Sequence, residues 1–351
     1  MEEEKSDKSA VPLGRYPKAG IICNLKRSGA KNSDDVPDEE AEFDNPATVQ
    51  AIQQSLKKYG VDSAIIEADE HLPENIRKNK IGIGFNIAEG KGGRDREAQV
   101  PALLEMMGVP FTGSDAAALS IALDKALCKR LLSTYGVRTA KSAVITPCEH
   151  IDLPDLKYPV IVKPNAEGSG KGISETSIAE SPDELRKLLQ DDLSLYGEDM
   201  LVEEYLPGRE FTVGLIGNGK DVRVFPPMEV IYRGNTQRSY KVYSYKIKCD
   251  YTKYVDYKCP ADLTPEALEE MTSASRTVFL ALGCQDVSRI DFRMDAEGHP
   301  CFLEINPLPG LAPIYSDLPM ITEACGIGYD ELIFKIYSTA VKRLGLSCNH
   351  D

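Results

Sequence analysis

Asp291, Glu304 and Asn306 are the residues whose types and spacing point most directly to chemistry. They lie in VSRIDFRMDAEGHPCFLEINPLPG, Val287 to Gly310, which reads as a hairpin. Arg289 to Arg293 goes out, Asp295 to Pro300 turns, and Cys301 to Asn306 returns to a stop at Pro307, Pro309 and Gly310. Side chains alternate across a strand, so Glu304 and Asn306 share one face, Leu303 and Ile305 point to the other, and Asp291 can come alongside. Two carboxylates and an amide oxygen make an all-oxygen site for a hard cation, and magnesium takes few protein ligands plus phosphate oxygens. A half-exposed hairpin with solvated acids is the bland alternative. Against it, the polar residues interrupt an apolar strand that runs straight into a Pro/Gly turn. A nucleotide is expected nearby.

Lys163 closes the apolar strand Val160-Ile161-Val162 and is followed by Pro164-Asn165-Ala166-Glu167-Gly168-Ser169-Gly170-Lys171-Gly172. Three glycines in this turn let backbone N–H groups approach a phosphate without Cβ obstruction. It is not a Walker A loop, which needs glycine at Asn165 and Ser or Thr at Gly172. Lys125 is a weaker candidate, because a helix lysine is ordinarily solvated. Glu203, Glu204, Tyr205 and Leu206, then Glu210 beyond the Pro207-Gly208 turn, place acids that could accept from an adenine amino group or ribose hydroxyls. Taken alone they are ordinary edge-strand charges. Gly82-Ile83-Gly84 lacks the third glycine of a dinucleotide fingerprint, Ile87 holding that place. There is no G-x-S-x-G elbow.

The elements that must position these residues follow from periodicity. In 18–113, a strand is expected from Ala19 to Cys23, then a helix capped by Asn45 with Val49, Ile52, Leu56 and Tyr59 on one face. Strands at Val61 to Glu67 and Lys80 to Ile87 precede a helix from Arg96 to Met107 that holds Pro101 in its first turns. This rhythm implies a small, mainly parallel sheet covered by helices. One long helix is expected from Ser114 to Tyr135, a strand from Pro159 to Lys163, and a helix from Ser181 to Gln190. Strands follow at Met200 to Tyr205, Arg209 to Ile216 and Arg223 to Tyr232. Residues 233–260 form a long polar stretch of the kind that serves function. A helix from Pro265 to Leu282, the hairpin and a last helix near Tyr329 to Leu344 complete the chain.

The 351 residues suffice for two or three domains of ordinary globular composition. A net charge of -14 argues against general nucleic-acid or anionic-membrane binding. Nine scattered cysteines without C-x-x-C fit a reducing compartment, and no run approaches a membrane span, so the cytoplasm is expected. Residues 1–17 read as a mobile tail.

Taken in order, Leu123-Asp124-Lys125, Val162-Lys163-Pro164, Glu167-Gly168-Ser169, Glu203 to Leu206, Gly208 to Val213, Arg289-Ile290-Asp291 and Glu304 to Gly310 resemble the ATP-grasp superfamily, most closely the D-alanine:D-alanine ligases. Gly108 to Ser114 belongs to the same pattern. The resemblance covers roughly 18–345. It implies an α/β and α+β architecture of three domains: an N-terminal α/β domain at 18–113, a small central lid domain at 114–203 and a C-terminal domain at 204–351. By motif match, Lys125, Lys163 and Lys248 would contact ATP phosphates, and Ser169 with its glycine loop would close over them. Glu203, Glu204, Tyr205 and Leu206 would hold adenine and Glu210 the ribose. Asp291, Glu304 and Asn306 would bind two magnesium ions, with manganese an alternative, and Arg289 would stabilise the reacting carboxylate and its tetrahedral intermediate. The implied reaction joins amino acids through an acyl phosphate, in peptidoglycan synthesis by default, in a protein that is often a homodimer.

Departures cluster at the amino-acid end. Glu89-Gly90 and Gly93-Arg94-Asp95-Arg96 stand where family members carry His-Gly and Gly-Glu-Asp-Gly, and Cys249 stands for a tyrosine. Glu42 is the candidate to receive the first substrate's ammonium, and after Gly310 Ser316 or Tyr315 takes the place of a substrate-facing serine. These changes open one alternative, a ligase joining a different amino acid to another carboxylate; a non-enzymatic ATP-binding protein is a separate reading, against which the intact Asp291, Glu304 and Asn306 set stands.

Overall fold

The computed structural model describes residues 16–26, 43–147, 151–167, 177–233, 240 and 251–346. Glu42, Ser169, Lys248, Cys249 and nearly all of the expected tail lie outside them.

Three sheets carry the fold. In the first, β1 (Ala19–Cys23) lies parallel between β2 (Ser63–Glu67) and β3 (Ile83–Asn86). Every residue of β1 is buried, which suits a central parallel strand covered on both faces. Helix α1 (Pro46–Lys58) starts where Asn45 accepts from the Ala47 N–H at 2.9 Å. Helix α2 (Leu72–Lys78) was not expected; it is only seven residues long, and its signal was Leu72 and Ile76 four apart behind Pro73. A 3-10 turn at Arg96–Ala98 precedes α3 (Gln99–Met107), so the expected helix begins as a tighter turn. Pro101 falls in the first turn of α3, where its missing N–H has no partner to lose.

The expected helix from Ser114 to Tyr135 is two helices, α4 (Ala116–Leu123) and α5 (Lys125–Ser133). Asp124 takes an extended backbone between them and caps α5 through the Leu127 N–H at 2.9 Å. Lys125 is therefore the first residue of a helix and not a mid-helix lysine.

The second sheet is antiparallel, with β4 (Ser142–Ile145), β5 (Val160–Pro164), β6 (Ile178–Ala179) and β7 (Met200–Glu204) in the order β4-β7-β5-β6. Helix α6 (Pro182–Tyr196) covers it, running past Gln190 because Leu185, Leu189 and Leu193 continue one buried stripe to Gly197. The third sheet, also antiparallel, holds β8 (Glu210–Gly217), β10 (Met228–Tyr232), β11 (Val255–Lys258), β12 (Asp286–Met294) and β13 (Pro300–Asn306) in the order β11-β10-β8-β12-β13. A short β9 (Arg223–Val224) pairs with β8. The single strand expected from Arg223 to Tyr232 is thus broken, and Pro226-Pro227 at the break cannot donate to a ladder. Helices α7 (Tyr251–Tyr254), α8 (Pro265–Ala281), α9 (Asp317–Ala324) and α10 (Tyr329–Arg343) complete the described chain; α9 was not anticipated.

One core joins β1, α1 and β3 to α9, α10 and one face of the third sheet, through residues such as Ile21, Ile52, Phe85, Leu318 and Tyr337. The other face packs on α8 and also takes Ala122, Cys128 and Leu132 from within the expected central domain. The second sheet and α6 form a core of their own around Val160, Val162, Leu185 and Val202, with no residue in common with the others. Among the described residues, no helix is long and apolar enough to cross a membrane.

Asp286 knits the first and third sheets together. Its carboxylate accepts from the Gly113 N–H at 2.9 Å, from Asn218 at 2.8 Å and from Arg343 at 3.0 and 2.7 Å. Arg343 in turn donates to the Phe111 carbonyl at 2.9 Å.

Candidate active site

The hairpin brings Asp291 alongside as expected, with Asp291 opposite Glu304 and Arg289 opposite Asn306. Between Asp291 and Phe292 the register shifts and Phe292 pairs with Phe302. This bulge corrects the expected alternation. Phe302 and Ile305 both enter the core, while Leu303 joins Glu304 in lining a cavity.

Arg289 fixes Asp291 bidentately, Nε donating at 3.1 Å and Nη2 at 2.9 Å, and the Asn306 amide donates to the same carboxylate at 3.3 Å. Lys125 Nζ lies 3.4 Å from Glu304. Among the described residues no group of three or more His, Cys, Asp and Glu is placed to hold a metal by itself. Two carboxylates and an amide oxygen on one sheet face still fit magnesium, which keeps several positions for water or phosphate oxygen.

Two cavities meet over this face. The smaller, about 110 Å³, is lined by Lys125, Lys163, Glu203 to Leu206, Glu210, Leu303 and the hairpin acids. The larger, about 560 Å³, runs from Lys125, Arg289, Glu304 and Asn306 to Glu89, Gly310, Tyr315 and Ser316. At its far wall Asp44 has a carboxyl that burial pushes up to about 7. Where the loop doubles back, Gly310 lies close to Ser316, and a Cβ there would stand 2.9 Å from Ser316 Oγ. That oxygen accepts from the Ala312 N–H at 3.0 Å.

Glu203 and Glu204 sit in the smaller cavity's wall, but both carboxylates are already engaged. Glu203 lies between Lys163 at 2.6 Å and Lys129 at 2.7 Å, all three nearly inaccessible to solvent. Burial would raise the Glu203 carboxyl, yet the Lys129 and Lys163 ammonium groups more than offset it and hold the group at about 2. Burial likewise opposes the charge on Lys163, and the Glu203 and Glu304 carboxylates raise it despite that. The triplet keeps one positive charge beside the cavity. Glu204 accepts from the Lys157 N–H at 2.9 Å. Glu210 accepts from Tyr232 at 2.7 Å and from Arg293 at 3.3 Å, and Arg293 also lies over the Tyr205 ring and donates to its hydroxyl at 2.8 Å.

The break at Asp124 aims Lys125. Asn165 accepts from the Lys125 and Ala126 N–H groups at 3.1 and 3.0 Å and donates to Asp124 at 2.8 Å, so the end of β5 and the start of α5 hold one another. Lys125 Nζ then donates to the Glu167 carbonyl as well as pairing with Glu304. Arg94 and Arg96 do not line the larger cavity. Arg94 reaches Asp124 at 3.2 Å, and the buried Arg96 donates to the Ala166 carbonyl at 2.7 Å and pairs with Glu167 at 3.5 Å.

Sequence reasoning missed Lys129, Arg293, Leu303 and Asp317. Lys129 had a signal, standing one helical turn from Lys125 on the same face. Leu303 had none, since nothing local marks the bulge. Asp317 pairs with Arg289 at 3.4 Å from a helix that was not foreseen.

The family model described as D-ala D-ala ligase C-terminus matches residues 135–338. A D-alanine–D-alanine ligase of Bordetella petrii is 33% identical over 82% of this chain and 85% of its own length. An uncharacterized protein, y4sG, of Sinorhizobium fredii is 30% identical over 92% of this chain and 96% of its own. The structure of a D-alanine–D-alanine ligase from Bacillus anthracis complexed with ATP aligns with a TM-score of 0.72 at 23% identity, over 93% of this chain and 98% of that one.

Proposed function

Since the chain belongs to the D-alanine–D-alanine ligase family, we propose that it joins two amino acids through an acyl phosphate at the expense of ATP, with D-alanyl-D-alanine as the default product. It is an ATP-dependent ligase that forms a C–N bond. One observation carries the reading most: Lys125, Arg289 and Glu304 line both cavities, so a nucleotide in the smaller and amino acids in the larger would meet at the same charged groups.

We assign the triphosphate to Lys125 and Lys163, the adenine to the Glu203–Leu206 segment with Leu303, and the ribose to Glu210. The occupied carboxylates of Glu203 and Glu204 leave adenine recognition to other groups of that segment. Asp291, Glu304 and Asn306 would hold two magnesium ions, which neutralise charge on the phosphoryl group in transfer. A substrate carboxylate oxygen attacks the γ-phosphorus and ADP leaves. The amine, having lost its ammonium proton, then attacks the acyl carbon with its lone pair; the C–N bond forms, phosphate departs with the electrons of the broken C–O bond, and the further proton shed by the nitrogen goes to that phosphate. Arg289, held by Asp291 and raised above its ordinary basicity by Asp291 and Asp317 against the effect of burial, stays charged to stabilise the oxyanion. The reading places the reaction in the cytoplasm.

A second reading, a ligase of the same chemistry for another amino-acid pair, is favoured by Glu89, which lines the larger cavity where the family carries histidine. Arg94 and Arg96 lend it nothing, because they brace Asp124 and Glu167. Phosphate release from ATP across a panel of amino acids tests both. Release with D-alanine alone supports the default, release only with another pair moves the substrate, and ATP binding without release from any pair removes ligase activity.

A further inference from the structure

Four charged side chains line both cavities: Lys125, Arg289, Glu304 and Asp317. They stand as two ion pairs, Lys125 with Glu304 and Arg289 with Asp317, each at 3.4 Å. On the ligase reading, on which this inference rests, the acyl carbon, the departing phosphate and the incoming nitrogen must all come together at this boundary. Glu304 stands with Asp291 and Asn306 in the oxygen set suited to a divalent ion. Asp317 does not belong to that set. It is the first residue of α9, brought in by the loop after Gly310, and it meets Arg289 at Nη1 while Asp291 holds Nε and Nη2.

The guanidinium at the boundary thus faces two carboxylates, one more than its single positive charge balances. An amine reaching the acyl carbon through the larger cavity carries its own positive charge until it loses a proton. Asp317, already paired with Arg289 and outside the proposed metal set, is the acid at the boundary placed to meet it. We propose that Asp317 receives the ammonium group of the amine substrate and orients its nitrogen toward the acyl carbon, making it a specificity-determining residue for the second substrate. A carboxylate here selects amines by charge and disfavours neutral hydroxyl nucleophiles, because a hydroxyl cannot match an ammonium's interaction with an acid.

The test compares wild type with Asp317→Asn, which keeps the size and an acceptor for Arg289, and with Asp317→Glu, which restores the charge. ATP, magnesium and the amino-acid pair selected by the phosphate-release panel, D-alanine with itself by default, are supplied with or without hydroxylamine. Hydroxylamine is uncharged at neutral pH and traps the acyl phosphate as a hydroxamate. In the Asn variant the KM for the amine rises about ten- to hundredfold, the range for losing a hydrogen bond to a charged group, and the ratio of dipeptide to hydroxamate falls by a similar factor. The Glu variant recovers part of that ratio. A dipeptide-to-hydroxamate ratio equal to wild type, whether both products persist or both decline together, overturns the assignment of Asp317 and leaves the ligase reading standing. A wild-type protein that releases no phosphate with any amino acid or with hydroxylamine overturns the ligase reading and this inference with it.

Discussion

Removing the charge of Glu203 leaves two buried ammonium groups, Lys129 and Lys163, without their shared counterion. Glu203→Gln should therefore cost about 3–5 kcal/mol, the range for breaking a buried ion pair by deleting one partner. Thermal melting across pH adds a sign. The carboxyl is held at about 2 against an ordinary 4.5, so its contribution is complete above that ordinary value and is lost as pH falls through 4.5 toward 2. The gap in melting temperature between wild type and Glu203→Gln should be widest near neutrality and close on acidification. Glu304→Gln is a contrasting change, at a partly exposed oxygen of the proposed metal set. It should lower turnover by at least the ~10–100-fold that loss of an outer-shell metal partner costs and raise the magnesium requirement, with little effect on melting. A wild-type magnesium dependence in that variant would remove Glu304 from the set. At this scale the hairpin acids were legible, because polar residues in an apolar strand are conspicuous. The engagement of Glu203 was not, since its two lysines come from elements far apart in sequence.

Elements place these groups more finely than sequence periods show. Leucines at every fourth position from Leu119 to Leu131 describe an unbroken helix, yet the chain breaks at Asp124. The partner that favours the break, Asn165, lies 41 residues on at the end of a strand, where no local pattern reveals it. Asp124→Ala should cost about 1–2 kcal/mol for the lost cap, read from thermal melting. It should also raise the KM for ATP, because the Asn165 and Arg94 contacts that aim Lys125 lose their acceptor. An unchanged KM for ATP would mean that Lys125 is aimed by Glu167 and Glu304 alone. The shared face of Glu304 and Asn306 with Asp291 alongside followed from the hairpin reading, and the bulge that turns Leu303 onto the cavity did not. A bulge is specified by packing on both faces, here Phe302 and Ile305 both seated in the core.

Across the whole molecule, the parallel first sheet was evident in the alternation of strands and helices, and the antiparallel third sheet in the hairpin. How they join was not, because besides a shared core the joint turns on one side chain. Asp286 adopts a left-handed backbone, φ 64°, and serves Gly113, Asn218 and Arg343 together while fully buried. Asp286→Ala leaves the partly exposed Arg343, Asn218 and the Gly113 N–H without their shared acceptor and should destabilise by about 1–3 kcal/mol, whereas Asp286→Asn, which tolerates that backbone and keeps an acceptor, should cost less. Equal melting temperatures for the two variants would refute this account. The second sheet, by contrast, keeps its apolar interior to itself around Val160, Val162, Leu185 and Val202. Such a unit can open as a body once its polar ties to α5, Glu203 to Lys129 and Asn165 to Asp124, give way. Calorimetry of the unliganded protein should then resolve two endotherms, the lower from residues 142–204, and amide exchange should be fastest there. An ATP analogue bridging Lys163 to the hairpin acids would fuse the two peaks, so that the calorimetric trace itself reports occupancy of the nucleotide cleft.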